Sequence, residues 1–342
     1  MTSAINRTAL VTGAAGFIGY HVSQRLLADG YTVIGFDGMS DYYDVALKRA
    51  RVDRLESHRA FTFIEGLLET DGLVMELFEI HRPDVVVHLA AQAGVRWSIE
   101  NPKAYLDANL IGVFNILEAA RAYTPAHLLM ASTSSAYGAN TAMPYAETMR
   151  ADHQMSFYAA TKKANEAMAH SYAHLYDIPT TMFRFFTVYG TWSRPDMAPI
   201  LFTKAILAGE PIKVFNHGKM QRDFTYVDDL VHGLRLLIDV PPVRPASPND
   251  IAEGDSLSPV APHRVINIGN GDSVPLMDFI AAIEDATGAE AQKIFMDMQP
   301  GDVPATWASA DLLKSLTGYS PKTDVKKGVS EFVAWYRDYY KV

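Results

Sequence analysis

Thr8-Ala-Leu-Val-Thr-Gly-Ala-Ala-Gly-Phe-Ile-Gly19 runs from a short apolar stretch into three glycines, and beyond them Ile18, Val22, Leu26 and Leu27 recur at helical spacing before Gly30. The spacing predicts a strand, a glycine turn and a helix over residues 17–28. In such a turn Gly13 permits the tight bend, Gly16 lets backbone approach a diphosphate, and Gly19 lets the helix lie close on the sheet with its N-terminus toward the phosphates. The next apolar stretch, residues 31–37, ends on Asp37, 18 residues after Gly19. That carboxylate can accept hydrogen bonds from adenosine ribose hydroxyls and would repel a 2′-phosphate, which points to NAD rather than NADP. A glycine-rich packing turn is the plain alternative, and the strand, helix and acid in their expected places argue against it.

Working outward, residues 61–64, 84–91, 127–133 and 180–188 read as buried strands, and residues 72–81, 102–123 and 158–176 carry helical periodicity. This alternation implies a Rossmann-type doubly wound α/β fold, its parallel sheet covered on both faces and its ligand at the carboxyl ends of the strands. After Gly190 the rhythm loosens. Residues 197–208, 227–238, 276–287 and 325–339 read as helices, and 212–215 and 265–268 as short strands. The organisation expected is an NAD-binding domain of residues 1–186 plus about 225–263, and a smaller C-terminal substrate-binding lobe of 187–224 plus 264–342. Six prolines between Pro241 and Pro262 mark a surface loop or connector that need not be fully ordered.

Composition removes other classes. A net charge of −9 argues against a nucleic-acid or acidic-membrane binder, because such proteins need a basic surface to displace counterions. An anionic ligand must then be met by local arginines or helix termini. No apolar run reaches the ~18 residues that span a bilayer, and residues 1–7 lack the form of a signal peptide, so a cytoplasmic protein is expected. The absence of cysteine excludes disulfides and thiolate catalysis. The eleven histidines show no metal-ligand spacing, so no metal is expected.

Tyr158 and Lys162 stand four apart in a helical pattern and project from one face. A neighbouring ammonium and a positive nicotinamide ring would both favour phenolate, so the pair could take a proton from a hydroxyl while hydride leaves the same carbon. By itself the pair could equally be a solvated helix face. Twenty-five residues before Tyr158 lies Thr133, within Ser132-Thr-Ser-Ser-Ala-Tyr-Gly138 at an expected strand end. That hydroxyl cluster is either a ligand site or an ordinary Ser/Thr turn.

The order of TGxxGxxG, His88-Leu-Ala-Ala91, STSSxYG, YxxxK and Arg184-Phe-Phe-Thr-Val-Tyr-Gly190 resembles the extended short-chain dehydrogenases/reductases over nearly the whole chain. Ala91-Gln-Ala-Gly-Val-Arg96, Arg194-Pro-Asp-Met197, Gly218-Lys-Met-Gln-Arg-Asp-Phe-Thr-Tyr226 and Met298-Gln-Pro-Gly-Asp-Val-Pro304 are similar to the UDP-glucuronate 4-epimerases among the nucleotide-sugar epimerases. The resemblance implies inversion at carbon 4 of a UDP-hexuronate by way of a 4-keto sugar, with tightly held NAD regenerated in each cycle. It makes Tyr158 the base, has Lys162 hold the phenolate and the nicotinamide ribose, and has Thr133 bond the reacting hydroxyl. It puts Phe17, Ile18, Leu68, Leu89, Ala90 and Ala91 at the coenzyme with Gly13, Gly16, Gly19 and Asp37. Ser134, Ser135 and Thr187 would lie near the sugar carboxylate, Arg222 at the diphosphate, Arg194 at the far side of the nucleotide sugar, Asp302 near the uridine ribose, and Arg96 also at the substrate. A homodimer is implied through the helical stretches 102–123 and 158–176.

Related sugar 4,6-dehydratases carry Asp-Glu after the threonine and related decarboxylases a glutamate at the second position, whereas this chain has Ser134 and Ser135, so dehydration is disfavoured. A UDP-glucose/galactose 4-epimerase and a UDP-glucuronate decarboxylase remain alternatives on the same scaffold. A noncatalytic NAD-binding regulator is the alternative from another class, and it would have no need of tyrosine, lysine and hydroxyls together. Two positions depart from the family pattern: Leu67 stands where relatives carry an aspartate that bonds adenine, and Gly38 where they carry asparagine. Altered coenzyme contacts with unchanged chemistry are expected from both.

Overall fold

The computed structural model describes residues 7–299 and 303–342. Seven parallel strands form the central sheet in the order His263–Ile268, Thr180–Phe185, His127–Ala131, Val85–His88, Thr8–Thr12, Thr32–Asp37, Phe61–Glu65. Strand alternation explains the two-faced cover. Ala9, Val11, Val33, Val85 and Val87 point to the side where Phe17–Ala28 and Val227–Ile238 pack. Leu10, Ile34, Phe36 and Val86 point to the other, against Leu73–His81, Gly112–Ala122 and Phe157–Tyr176. The strand order reverses between Thr8–Thr12 and Val85–His88, and a crevice opens at their carboxyl ends, where such sheets bind ligands.

Several sequence boundaries shift for physical reasons. The expected strands 84–91 and 127–133 stop at His88 and Ala131, because the next residues turn out of the sheet to line the crevice. Residues 180–188 are two strands, since Thr187–Tyr189 leaves the large sheet to pair with Phe224–Tyr226. The strand His263–Ile268 pairs with Thr180–Phe185, so the expected domain boundary at 263/264 falls inside a strand of the central sheet. The helix expected over 102–123 is interrupted by a π-helical segment, Leu106–Ile111, between Pro102–Tyr105 and Gly112–Ala122. Such wide turns often mark functional sites, and this one puts Asp107 and Ala108 on the crevice wall.

The smaller lobe has its own core. Phe224 stacks on Phe279 with ring centroids 3.9 Å apart, and Ile200, Val214, Ile283, Phe332 and Tyr336 close around them. Three small sheets tie it together: Ile212–Val214 with Lys293–Phe295, Gln221–Arg222 with Val274–Pro275 and Ala305–Thr306, and the Thr187–Tyr189 pair already described. Asp223 fastens these strands. Fully buried, it accepts hydrogen bonds from Thr225 Oγ1 and from the backbone N–H groups of Asn270, Gly271 and Ala308.

Candidate active site

The crevice encloses about 600 Å³ and runs without a break from the first glycine turn to Arg194. At its floor Gly13 has φ +73°, and a Cβ there would meet Ala90 N at 2.8 Å. A Cβ on Gly19 would come within 2.0 Å of Gly13 O, so neither position admits another residue without moving the backbone. Gly16 begins the helix Phe17–Ala28 with no side-chain cap, and the first helical residues, Phe17, Ile18 and Gly19, line the cavity, where their N–H groups are available as donors for an anion. Asp37 is buried and accepts from Ala15 N at 3.1 Å and Met39 N at 2.8 Å. Burial raises its pKa, and Lys48 together with those two amides opposes the rise. A cradle for a diphosphate followed by an acid for a ribose fits a dinucleotide. Leu89, Ala90 and Ala91 complete the wall, with Thr12 Oγ1 accepting from Leu89 N and Ala90 N at 3.1 Å each.

Thr133, Tyr158 and Lys162 line the same cavity. Ser156 caps the helix Phe157–Tyr176, which carries Tyr158 and Lys162, by accepting from Ala159 N, and this fixes where the first turn enters the site. Thr133 lies just past the end of the strand His127–Ala131 and caps the short 3₁₀ turn Ser134–Tyr137 by accepting from Ser135 N. Burial raises the Tyr158 pKa, and a hydrogen bond with Thr133 and the Arg194 guanidinium counter it. Burial thus works against the phenolate that the YxxxK spacing predicts, while Arg194 works toward it. Lys162, one turn further along the helix, donates to Ala131 O at 3.0 Å. Burial also pushes the Lys162 ammonium down to about 8.

Behind these groups lies a buried ion pair. Glu166 accepts from Arg184 Nε and Nη2 at 2.8 Å each, from Ser132 Oγ at 2.7 Å and from Lys163 Nζ at 3.0 Å. Arg184 holds the Glu166 carboxyl down to about 2 despite burial. A lowered carboxyl contributes stability above its unfolded value, so this contribution is fully present above about 4.5 and is lost as pH falls toward about 2. Glu166→Gln leaves Arg184 buried without its counter-charge and is expected to cost about 3–5 kcal/mol in denaturant unfolding at pH 7.

Of the residues singled out in the sequence, Gly13, Gly16, Phe17, Ile18, Gly19, Asp37, Leu68, Leu89, Ala90, Ala91, Thr133, Tyr158, Lys162 and Arg194 line this one cavity. Ser134 and Ser135 follow Thr133 in the 3₁₀ turn, and Thr187 opens the strand beyond Phe186. Arg222 lies in the smaller lobe, donating to Gln221 O and Val303 O, and exposed Arg96 lies 5.4 Å over the Phe215 ring. Asp302 lies outside the described residues. Sequence reading passed over Tyr42, Tyr43 and Lys48, which also line the cavity. They belong to a charged stretch, Asp41 to Glu56, with too weak an apolar stripe to announce the helix Val45–Glu56. The two departures from the family pattern touch each other: a Cβ on Gly38 would lie 2.6 Å from Leu67 Cδ2, so the leucine occupies the space over the glycine.

Among the described residues no cluster of His, Asp or Glu could hold a metal, and no helix is long and apolar enough to cross a membrane. Residues 9–247 match the NAD dependent epimerase/dehydratase family. The chain is 52% identical over 332 residues to a probable UDP-glucuronate 4-epimerase of Rhizobium meliloti (strain 1021), with 97% of each chain covered. It is 45% identical to UDP-glucuronate 4-epimerase 4 of Arabidopsis thaliana over 97% of this chain and 76% of that one. In structure it is similar to UDP-glucuronic acid 4-epimerase from Bacillus cereus, crystallised with UDP-glucuronic acid and NAD, at TM-score 0.86 and 31% identity over 97% of this chain and all of that one. Thr133, Tyr158 and Lys162 share one cavity with the glycine turn and the acid beyond it, and the chain belongs to the NAD dependent epimerase/dehydratase family.

Proposed function

We propose that the protein inverts carbon 4 of UDP-glucuronate to give UDP-galacturonate through a transient 4-keto sugar, an isomerase reaction that consumes no NAD. The reading is carried by one observation: the proton-transfer group Tyr158 opens onto the same cavity as the coenzyme cradle, with Thr133 beside it and Ser134 and Ser135, not acids, following. Bound NAD supplies the acceptor and donor of hydride at carbon 4. Gly13, Gly16, Phe17, Ile18 and Gly19 hold its diphosphate, Asp37 its adenosine ribose, and Leu68, Leu89, Ala90, Ala91 and Lys162 the remaining length.

Thr133 orients the carbon-4 hydroxyl, and Tyr158 takes its proton and later returns it. Arg194 brings positive charge that opposes the effect of burial on the phenol, and Lys162 holds the phenolate that forms. Arg222 meets the diphosphate of the substrate, Arg194 the far side of the nucleotide sugar and Asp302 the uridine ribose, with Arg96 a further substrate contact. The division of labour is that of a coenzyme domain and a smaller lobe that brings the UDP-sugar to it. Ser134, Ser135 and Thr187 hold the sugar carboxylate. A 4-keto uronate is a β-keto acid and loses carbon dioxide once its carboxylate bond aligns with the carbonyl π-system. Neutral hydroxyl donors fix the carboxylate out of that alignment. Ser134→Ala is therefore expected to raise the proportion of UDP-pentose by severalfold when products are separated by chromatography, and an unchanged ratio would reject the role.

The reading as a whole is tested by incubating the purified protein and NAD with UDP-glucuronate and, separately, with UDP-glucose, and separating the UDP-sugars. UDP-galacturonate at equilibrium with substrate supports it, whereas UDP-pentose alone points to the decarboxylase and turnover of UDP-glucose alone to the hexose epimerase. A homodimer is part of the proposal. Phe114 and Leu175, 47% and 66% exposed on the packed helices Gly112–Ala122 and Phe157–Tyr176, supply an apolar face for a second copy, which light scattering would detect as twice the chain mass.

A further inference from the structure

Three consecutive carbonyls in the loop that leads to Arg194 are held by side chains from the coenzyme side of the molecule. His21 Nε2 lies 2.8 Å from Thr191 O. Arg51 Nη2 donates to Trp192 O at 2.6 Å and Ser193 O at 3.4 Å. Through Nη1 the same guanidinium donates to Ala15 O and to the Tyr43 hydroxyl, both at 2.8 Å. Ala15 belongs to the glycine turn, and its own N–H donates to Asp37. Trp192 sits at φ +59°, where an L residue needs outside support, and Arg54 covers its indole at 5.3 Å. Two residues on, Arg194 reaches the cavity wall and pairs with Asp196 at 3.1 Å.

Arg51 is fully buried, and the acceptors of its four hydrogen bonds are neutral oxygens. A buried cation with no carboxylate bonded to it is costly to keep, and the attraction of the nearby Asp37 carboxylate repays only part of that cost. What a guanidinium alone provides is a planar fork that binds two separate pieces of backbone at once. The contacts then form an unbroken path from Asp37 through Ala15, Arg51 and the carbonyls of Trp192 and Ser193 to Arg194, which lies close enough to Tyr158 to bear on its charge.

We propose that Arg51 is a positioning residue that fastens loop 191–193 to the coenzyme turn, so that filling the coenzyme seat sets Arg194 in the substrate cavity. The choice of substrate below rests on the UDP-hexuronate reading, but the fastening itself does not. Its first test therefore uses NAD alone. Hydrogen exchange at residues 191–194 is compared with NAD saturating and depleted, in the parent, Arg51→Met and Arg51→Lys. NAD is expected to slow exchange there at least tenfold in the parent, less than twofold in Arg51→Met, and by an intermediate factor in Arg51→Lys, whose single ammonium cannot span both sides. An equal gain of protection in parent and variants would overturn the proposal.

The second test asks whether Arg51 acts through Arg194. In holoenzymes carrying Tyr158→Phe, so that turnover does not intervene, Arg51→Met is expected to weaken UDP-glucuronate binding about tenfold by calorimetry. Added to Arg194→Ala it should weaken binding less than twofold further. Effects that multiply, or a lowered Tm with unchanged affinity, would overturn it. Should Arg51→Met fail to fold, Arg51→Lys carries the same cycle. A parent protein that binds no UDP-glucuronate would refute the functional reading and leave the exchange experiment to decide the fastening.

Discussion

Tyr158→Phe is expected to lower kcat by about 10²–10⁴-fold, the range for removing a positioned acid-base group, while KM and bound NAD change little. The reason lies in what the substitution leaves alone. The ring packs edge-on to Tyr105 with centroids 6.0 Å apart, a contact phenylalanine keeps, and the lost oxygen's partner, Thr133, still caps the 3₁₀ turn through Ser135 N. Steady-state kinetics with UDP-glucuronate and the absorbance of bound coenzyme together separate loss of chemistry from loss of fold. A residual rate within tenfold of the parent would remove Tyr158 from proton transfer. In the parent, because the phenol is raised, kcat/KM should climb with pH above neutrality, and that limb should vanish in the variant.

Lys162→Met should separate stability from activity. The ammonium is pushed from 10.5 down to about 8 by burial, a penalty on the order of 3 kcal/mol at neutral pH at about 1.4 kcal/mol per unit. The unfolded chain binds this proton more tightly between about 8 and 10.5, so the parent gains stability as pH rises through that window and carries the full penalty below it. Methionine fills similar volume without charge. Without added NAD, the variant is expected to unfold at a temperature equal to or above the parent's at pH 7, while its turnover falls at least about 100-fold. A variant that is both less stable and nearly as active would show that Lys162 is a structural residue.

The sequence was most legible where spacing along the chain equals spacing in space. The glycine turn, Asp37 at the end of the next strand, and Tyr158 and Lys162 one helical turn apart are local patterns, and they meet at one crevice because strand order alone brings their elements together. The large sheet was readable for the same reason, its strands being continuous apolar runs with alternate side chains feeding two cores. What could not be read depends on partners distant in sequence. Thr187–Tyr189 separates from Thr180–Phe185 because Phe224–Tyr226 offers it a different ladder. Val45–Glu56 hides its buried face behind Lys48 and Arg51, whose acceptors lie on other elements. Burial acts against the shift expected of Tyr158, and burial is a property of the packed crevice that no motif encodes.

In the proposed reaction hydride leaves carbon 4 of the sugar and returns to it without escaping to water. UDP-glucuronate carrying deuterium at carbon 4 tests it directly. The expected product is UDP-galacturonate that retains the label at carbon 4, with none in the solvent and no net accumulation of NADH. Label released to water, or NADH formed in step with substrate consumed, would contradict it.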